Sequence, residues 1–386
     1  MGLFDLFKKK TPEAPPVPTA PQKGFHSLAV TDVVAETADA VSIYFEVPPA
    51  LKELYAYQAG QYVTLRLVLG GNTYLRCYSL SSCPDSDNYF RIGVKTKVGG
   101  KVSGYLVENC RKGMTIDVFT PLGSFTPPIQ AVPHYALYGG GSGITPLLSI
   151  AKSVLFRYPQ AQVSLLYANR NPESIIYAQE WARLQAQYPG RLRVDYILEQ
   201  TDGDTPHYLK GIATPADYAQ WCQQDVKHTP QTLHFVCGPE GMMQAVRQGL
   251  ADIAHIPAEN IYIESFDFSQ QSPNHSHSTH TSAPTTNNGG DADGLGANAT
   301  VTVQRKNYYI HIAPNTSILT ACLDNNIDAP YMCEAGVCSS CRAKLLQGKA
   351  DMQVCYALSD KEIAEGYILT CQAIPKSNDI TISYDA

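Results

Sequence analysis

Between residues 24 and 128, apolar and polar side chains alternate in short runs. Examples are Tyr62-Val63-Thr64-Leu65-Arg66-Leu67-Val68 and Tyr89-Phe90-Arg91-Ile92-Gly93-Val94, separated by Gly, Pro and Asn/Asp turns. A period of two sends successive side chains to opposite faces, so each run predicts an antiparallel strand with one buried face. Several such strands in about a hundred residues predict a small antiparallel β-barrel. After Pro133 the pattern changes. Tyr135–Tyr138 is wholly apolar, then a glycine-rich turn leads to a predicted helix over Pro146–Phe156, whose leading proline suits a first helical turn. Val163–Tyr167, Val194–Leu198 and His234–Cys237 repeat the buried-strand pattern, with helices expected over Tyr177–Tyr188 and Met242–Ala251. Strands alternating with helices predict an α/β parallel sheet over residues 129–268.

Residues 269–298 (SQQSPNHSHSTHTSAPTTNNGGDADGLGAN) hold almost no large apolar side chain and cannot offset the entropy of folding. They are expected to be a flexible linker with ends roughly 30 Å apart on average, which would let the last domain move. From residue 299 to 386 the pattern folds again, with strands over Thr300–Gln304 and Tyr308–Ile312, a helix near Ile318–Asn325 and a last strand over Ile380–Tyr384. Residues 1–23, with the proline-rich stretch TPEAPPVPTAPQK, are expected to be a disordered tail.

Composition narrows the function. With 386 residues, 44% hydrophobic and 17% charged, the chain has ordinary globular values and the length of two to four domains. A net charge of -6 lacks the basic footprint of a nucleic-acid binder. No apolar run reaches the roughly 18 residues of a membrane-spanning helix, and the first residues lack a secretory apolar region, so a cytoplasmic location is expected.

Eleven cysteines would suit disulfides in a small secreted domain, but here three crowd together. Cys333, Cys338 and Cys341 form C-x4-C-x2-C, and Cys371 in Tyr367-Ile368-Leu369-Thr370-Cys371 supplies a distant fourth thiolate. Four thiolates, two per iron, are what a 2Fe-2S cluster requires. A structural zinc site would ordinarily pair two short elements, and only one is present. Cys322 and Cys355 fall outside the motif and are expected to be packed thiols. The segment resembles plant-type ferredoxins over its full length, including Pro330-Tyr331-Met332 before the first ligand. That resemblance implies a β-grasp (α+β) fold and one-electron carriage.

Two further motifs bear on a flavin and a nicotinamide. Arg76-Cys77-Tyr78-Ser79 combines a cation suited to phosphate, an aromatic face suited to a flat ring and a hydroxyl able to donate to a ring nitrogen. Lys95–Tyr105 (KTKVGGKVSGY) adds a glycine turn before a short predicted helix, whose first N–H groups suit a second phosphate. Gly139-Gly140-Gly141-Ser142-Gly143-Ile144-Thr145-Pro146 stands between strand and helix, where glycine lets a diphosphate approach the backbone. Arg-x-Tyr-Ser followed by Gly99-Gly100-Lys101-Val102-Ser103 resembles the FAD domain of the ferredoxin-NADP reductase superfamily. The resemblance implies that Arg76 and Ser103, with Gly100, Lys101 and Val102 of the same turn, meet the FAD diphosphate. It also implies that Tyr78 stacks on the isoalloxazine and that Ser79 approaches its N5. Gly141, Ser142, Gly143, Thr145, Gly238 and Pro239 would then hold the nicotinamide dinucleotide. Cys237 would lie beside the nicotinamide, with Glu264 and Phe266 near both rings, making Ser79, Cys237 and Glu264 the catalytic candidates. The strand Val163–Tyr167 leads to Ala168-Asn169-Arg170, a cation near the ribose position with no carboxylate ending the strand, which favours NADPH over NADH.

The order of flavin barrel, nicotinamide domain and ferredoxin domain resembles the reductase components of bacterial multicomponent oxygenases over nearly all of residues 24–386. Phe25-His26-Ser27-Leu28, Gly366-Tyr367-Ile368-Leu369-Thr370-Cys371-Gln372-Ala373 and Asp385-Ala386 bring it nearest to the phenylacetyl-CoA epoxidase type. The resemblance implies electron flow from NAD(P)H through FAD and a 2Fe-2S cluster to an oxygenase, phenylacetyl-CoA epoxidase being one candidate. The long linker and proline-rich extension depart from that pattern and keep a fatty-acid desaturase open as acceptor. A redox sensor would not need a complete hydride-to-cluster chain. A terminal reductase of a quinone or ferric chelate would not need a ferredoxin domain.

Overall fold

The structure is a computed structural model and describes residues 23–128, 132–266 and 296–386, except 202, 204, 205, 207, 227, 228, 332, 333, 335, 337–339, 356 and 359. Almost all of the expected tail and linker lies outside the described residues. No described helix is long and apolar enough to cross a membrane.

The first domain contains β1 (Phe25–Thr37), β2 (Ala40–Glu46), β3 (Tyr62–Leu69), β4 (Asn72–Ser79), β5 (Phe90–Lys95) and β6 (Thr115–Phe119). They form an antiparallel sheet in the order β4-β3-β6-β1-β2-β5. A bridge between Leu80, just past β4, and Ile92 of β5 closes that order on itself. Alternation fills the interior: Leu28, Ile43, Leu65, Ile92 and Val118 are completely buried, each worth about 1.5–3 kcal/mol relative to exposure. The helix α1 (Lys101–Asn109) adds Val102 and Leu106 to this core.

The second domain carries β7 (His134–Gly140), β8 (Gln162–Asn169), β9 (Leu192–Leu198), β10 (Leu209–Lys210), β11 (Leu233–Cys237) and β12 (Ile261–Glu264). They are parallel throughout, in the order β10-β9-β8-β7-β11-β12. The helices are α2 (Ile144–Arg157), α3 (Ala178–Gln187), α4 (Pro215–Gln220) and α5 (Glu240–Gln248). Every position of β7 is buried, which is why its sequence runs apolar instead of alternating. The chain leaves β7 toward β8 on one side and later returns to β11 on the other. That reversal opens a crevice at the carboxyl ends of β7 and β11.

In the third domain, β13 (Ala297–Val303), β14 (Lys306–Ile312), β15 (Arg342–Gln347), β17 (Tyr367–Leu369) and β19 (Asp379–Ser383) form a mixed sheet ordered β14-β13-β19-β15-β17, with β13 and β19 parallel. A small pair joins β16 (Ala350–Met352) to β18 (Ala373–Pro375), and α6 (Ile318–Asp324) and α7 (Asp360–Ala364) complete the domain. The linker expected to end at residue 298 is corrected at this end: β13 begins at Ala297, which is buried and pairs with Ile312. Alanine is too small for its burial to stand out in an Asn/Gly/Ala run.

Barrel and α/β domain share one core, because Ala40, Ala59 and Phe125 of the first pack among Tyr135, Leu137 and Ile150 of the second. Charges cross the same boundary. Arg91 of β5 reaches Glu180 of α3 at 2.9 Å, while Lys152 of α2 reaches Asp87 of the barrel at 2.6 Å and Glu180 at 2.9 Å. Tyr177 lies under the Arg91 guanidinium, 4.7 Å from ring centroid to cation. Although burial disfavours its charge, Arg91 and Lys152 hold the Glu180 carboxyl below the usual range. Its contribution is therefore present above the ordinary glutamate value and is lost as pH falls through the depressed one. Replacing Lys152 by Met should leave Asp87 without its cation and Glu180 with Arg91 alone, and lower stability by about 3 kcal/mol in denaturant unfolding. An unchanged midpoint would show that the network carries no such role.

Candidate active site

In the register of the parallel sheet Gly139 lies opposite Cys237, and Cys237 opposite Glu264, so all three reach the carboxyl edge in one row. The turn from β7 into α2 needs its glycines. Gly141 has φ +52, and a Cβ on Gly143 would stand 2.1 Å from the Cys237 carbonyl oxygen. The glycine turn thereby packs directly on Cys237-Gly238-Pro239. The Tyr167 hydroxyl donates to the Gly141 carbonyl and the Thr145 hydroxyl to the Ser142 carbonyl, both at 2.9 Å, which fixes the turn. The Ile144 N–H that opens α2 already donates to the Gly141 and Ser142 carbonyls and Pro146 has none, so an anion here would be met by the glycine turn ahead of the helix.

Ser79 closes β4 of the barrel yet meets the sheet edge. Its hydroxyl lies near enough to the Glu264 carboxyl to lower its pKa, yet the Ser79 hydroxyl oxygen and Glu264 Oε2 are both buried without a hydrogen bond of good geometry among the described residues. Orphaned buried oxygens cost about 1–3 kcal/mol each, so this junction fits a bound polar group such as a flavin ring. Burial pushes the Glu264 carboxyl up to about 8, with Ser79 pulling it partly back. Burial, and then Glu264, drive the Cys237 thiol well above its ordinary value. At neutral pH the pair is largely uncharged, and Cys237 is not a nucleophilic thiolate.

Arg76 and Lys101 converge on Tyr74, each cation 5.9 Å from the ring centroid. Strand β4 and the start of α1 thus present two cations in one patch, suited to a diphosphate. The Ser103 hydroxyl is engaged in its own turn, accepting from Lys97 N at 3.0 Å and donating to Gly100 O at 3.4 Å. The Val102 side chain belongs to the barrel core, leaving only its backbone for a cofactor. Tyr78 is half-buried, and burial raises its phenol well above the ordinary value. Phe266 packs, partly buried, against the α/β core. Arg170 is not a solitary cation: it pairs with Asp39 of the barrel at 3.1 Å.

In the third domain Cys341 and Cys371 are buried. Thr370 joins them, giving both its N–H (3.1 Å) and its hydroxyl (3.0 Å) to the Cys341 carbonyl, while the Tyr384 hydroxyl donates to Thr370 Oγ1 at 2.8 Å. Gly336, at φ +71, sits where a Cβ would stand 2.6 Å from the Val354 carbonyl oxygen. Cys333 and Cys338 lie outside the described residues. Two buried thiols tied by one threonine beside a tight loop fit the donor chemistry of a 2Fe-2S cluster.

Family models place the same three parts along the chain. The oxidoreductase FAD-binding domain matches residues 27–126, the oxidoreductase NAD-binding domain 137–248 and the 2Fe-2S iron-sulfur cluster binding domain 301–376. A subunit of 1,2-phenylacetyl-CoA epoxidase from Escherichia coli K12 is 34% identical over 94% of this chain and 98% of its own length. The chain belongs to the ferredoxin reductase superfamily. The ferredoxin reductase component of 3-ketosteroid-9-alpha-monooxygenase from Rhodococcus rhodochrous is 35% identical to this reductase over 92% of the chain and 96% of its own. Phthalate dioxygenase reductase shares its fold, with a TM-score of 0.52 at 23% identity over 93% of this chain and 98% of that one. The protein is accordingly an NAD(P)H-dependent oxidoreductase of the ferredoxin reductase type, with FAD and 2Fe-2S domains.

Sequence reasoning missed the residues that hold the reductase's two nucleotide-binding halves together. Asp87, Arg91, Lys152 and Glu180 carry no motif; Arg91 and Lys152 stand as single charges in apolar runs, while Asp87 and Glu180 lie in polar surroundings that give no signal. The glycine turn yields a direct test. Gly143→Ala should drive a methyl into the Cys237 carbonyl and lower kcat/KM for NAD(P)H at least tenfold through misplaced reacting groups. Unaltered kinetics would mean that the two turns need not touch.

Proposed function

We propose that this reductase takes hydride from NAD(P)H at the junction of Ser79, Cys237 and Glu264 and delivers electrons singly to the oxygenase component of a multicomponent monooxygenase. The observation that carries the reading is that junction, where a barrel hydroxyl and a sheet carboxyl are buried beside one another without a well-formed hydrogen bond among the described residues. Bound FAD would accept two electrons together and release them one at a time to a cluster that carries one. Arg76 and Lys101 would hold the FAD diphosphate, with the turn built by Ser103 offering backbone donors, and Tyr78 and Phe266 would flank flat rings. Glu264, protonated near neutral pH, can hold or release a proton at its carboxyl. Cys237, kept as a thiol by burial, supplies a small neutral surface for the nicotinamide. Gly141, Ser142, Gly143 and Thr145, with Gly238 and Pro239, would seat the dinucleotide. Cys333, Cys338, Cys341 and Cys371 would hold the cluster.

The relatives named above support an oxygenase over a desaturase as acceptor. Phenylacetyl-CoA epoxidase is the acceptor we favour, on the motifs at both ends of the chain. Of the two coenzymes Arg170 favours NADPH, because its guanidinium can pair with a 2′-phosphate that NADH lacks.

The cluster assignment is separable from hydride transfer. Cys341→Ser should leave NADPH-driven reduction of the flavin and of ferricyanide within about twofold of the original, while reduction of the oxygenase falls at least a hundredfold. Near-original oxygenase turnover would mean that electrons leave from the flavin and that the ferredoxin domain serves another purpose.

A further inference from the structure

Arg170 follows β8 at the place where a strand-ending carboxylate ordinarily reads the free ribose diol. The α/β domain supplies no such carboxylate, but the barrel does. Asp39, in the turn between β1 and β2, lies with Oδ2 3.1 Å from Arg170 Nη2 and 3.8 Å from Lys95 Nζ. Its other oxygen accepts from the Thr37 hydroxyl at 2.8 Å, and its backbone carbonyl accepts from Thr96 N at 2.8 Å, so the carboxylate is held in place. Lys95 Nζ in turn would stand 3.8 Å from a Cβ on Gly141, which sets the group against the glycine turn.

We infer that Asp39 is a coenzyme-specificity determinant lent by the flavin barrel to the nicotinamide domain, holding Arg170 and repelling a 2′-phosphate. The inference rests on the reading of Arg170 given under Proposed function. An interdomain tie is the competing role, but Arg170 is 64% exposed, and an exposed pair adds only about 0–1 kcal/mol. The buried Arg91, Lys152, Glu180 and Asp87 already serve that purpose. A carboxylate at this position has a larger effect on a ligand that brings two negative charges to the same guanidinium. NADPH must displace Asp39 from Arg170, whereas the ribose hydroxyls of NADH can donate to the Asp39 carboxylate.

The test uses the full-length holoprotein with 2′-AMP and 5′-AMP as probes in calorimetric titrations, beside kcat/KM for NADPH and NADH. Asp39→Asn keeps the acceptor for Thr37 and removes the charge. It should tighten 2′-AMP about five- to tenfold, leave 5′-AMP within about twofold, and raise the NADPH-to-NADH ratio by a similar factor. Arg170→Ala serves as the second arm and should weaken 2′-AMP more than 5′-AMP. If Arg170→Ala behaves so while Asp39→Asn leaves 2′-AMP unchanged, or shifts both probes equally, the role of Asp39 is overturned. If Arg170→Ala affects both probes equally, the reading of Arg170 falls first and the inference with it.

Discussion

Two cations and two carboxylates, buried together where barrel meets α/β domain, set the geometry on which the active site depends. Arg91 and Asp87 come from the barrel, Lys152 and Glu180 from the α/β domain, and each barrel charge is satisfied by its opposite across the boundary. Burying four charges is costly, and a cluster of this kind gains through specificity more than through stability: any sliding of the two surfaces would strand a charge. The surfaces also touch closely. A Cβ on Gly93 of β5 would stand 2.4 Å from the Tyr177 hydroxyl oxygen and 2.5 Å from Thr145 Cγ2. Thr145 itself opens α2 and braces the glycine turn, so the lock and the nucleotide crevice are one continuous piece.

That rigidity explains how Ser79, on a barrel strand, comes to face Glu264 and Cys237 on a sheet edge about 160–185 residues later. Hydride transfer tolerates little misplacement, and a shared core with crossed ion pairs supplies the constraint. The third domain is built differently. Its described core draws only on residues from Ala299 onward, whereas the α/β core takes in Ala40, Ala59 and Phe125 of the barrel. The third domain's described core therefore takes nothing from the two that precede it.

The regular parts of the fold were legible because their signals are local. Mainly apolar runs marked β7, β8 and β11, alternation marked β3 and β5, and the cysteine spacing stood out unaided. The glycine turn between β7 and α2 was legible as a turn, though not that Gly143 is required by the Cys237 carbonyl. Pairings between distant charges left no trace: Lys152 and Asp87 are 65 positions apart and Arg170 and Asp39 are 131 apart, too far for either segment to name its partner. Arg170 shows the consequence. Read alone it is a phosphate-binding cation; beside Asp39 it is a cation already engaged.

A relay from flavin to cluster within one chain is intramolecular. Anaerobic stopped-flow mixing of the holoprotein with NADPH, following flavin and cluster absorbance separately, tests it most directly. With such a relay flavin absorbance should fall first and cluster absorbance follow, at a rate that does not change with protein concentration. Cluster bleaching that precedes the flavin, or a rate that rises in proportion to protein concentration, would contradict it.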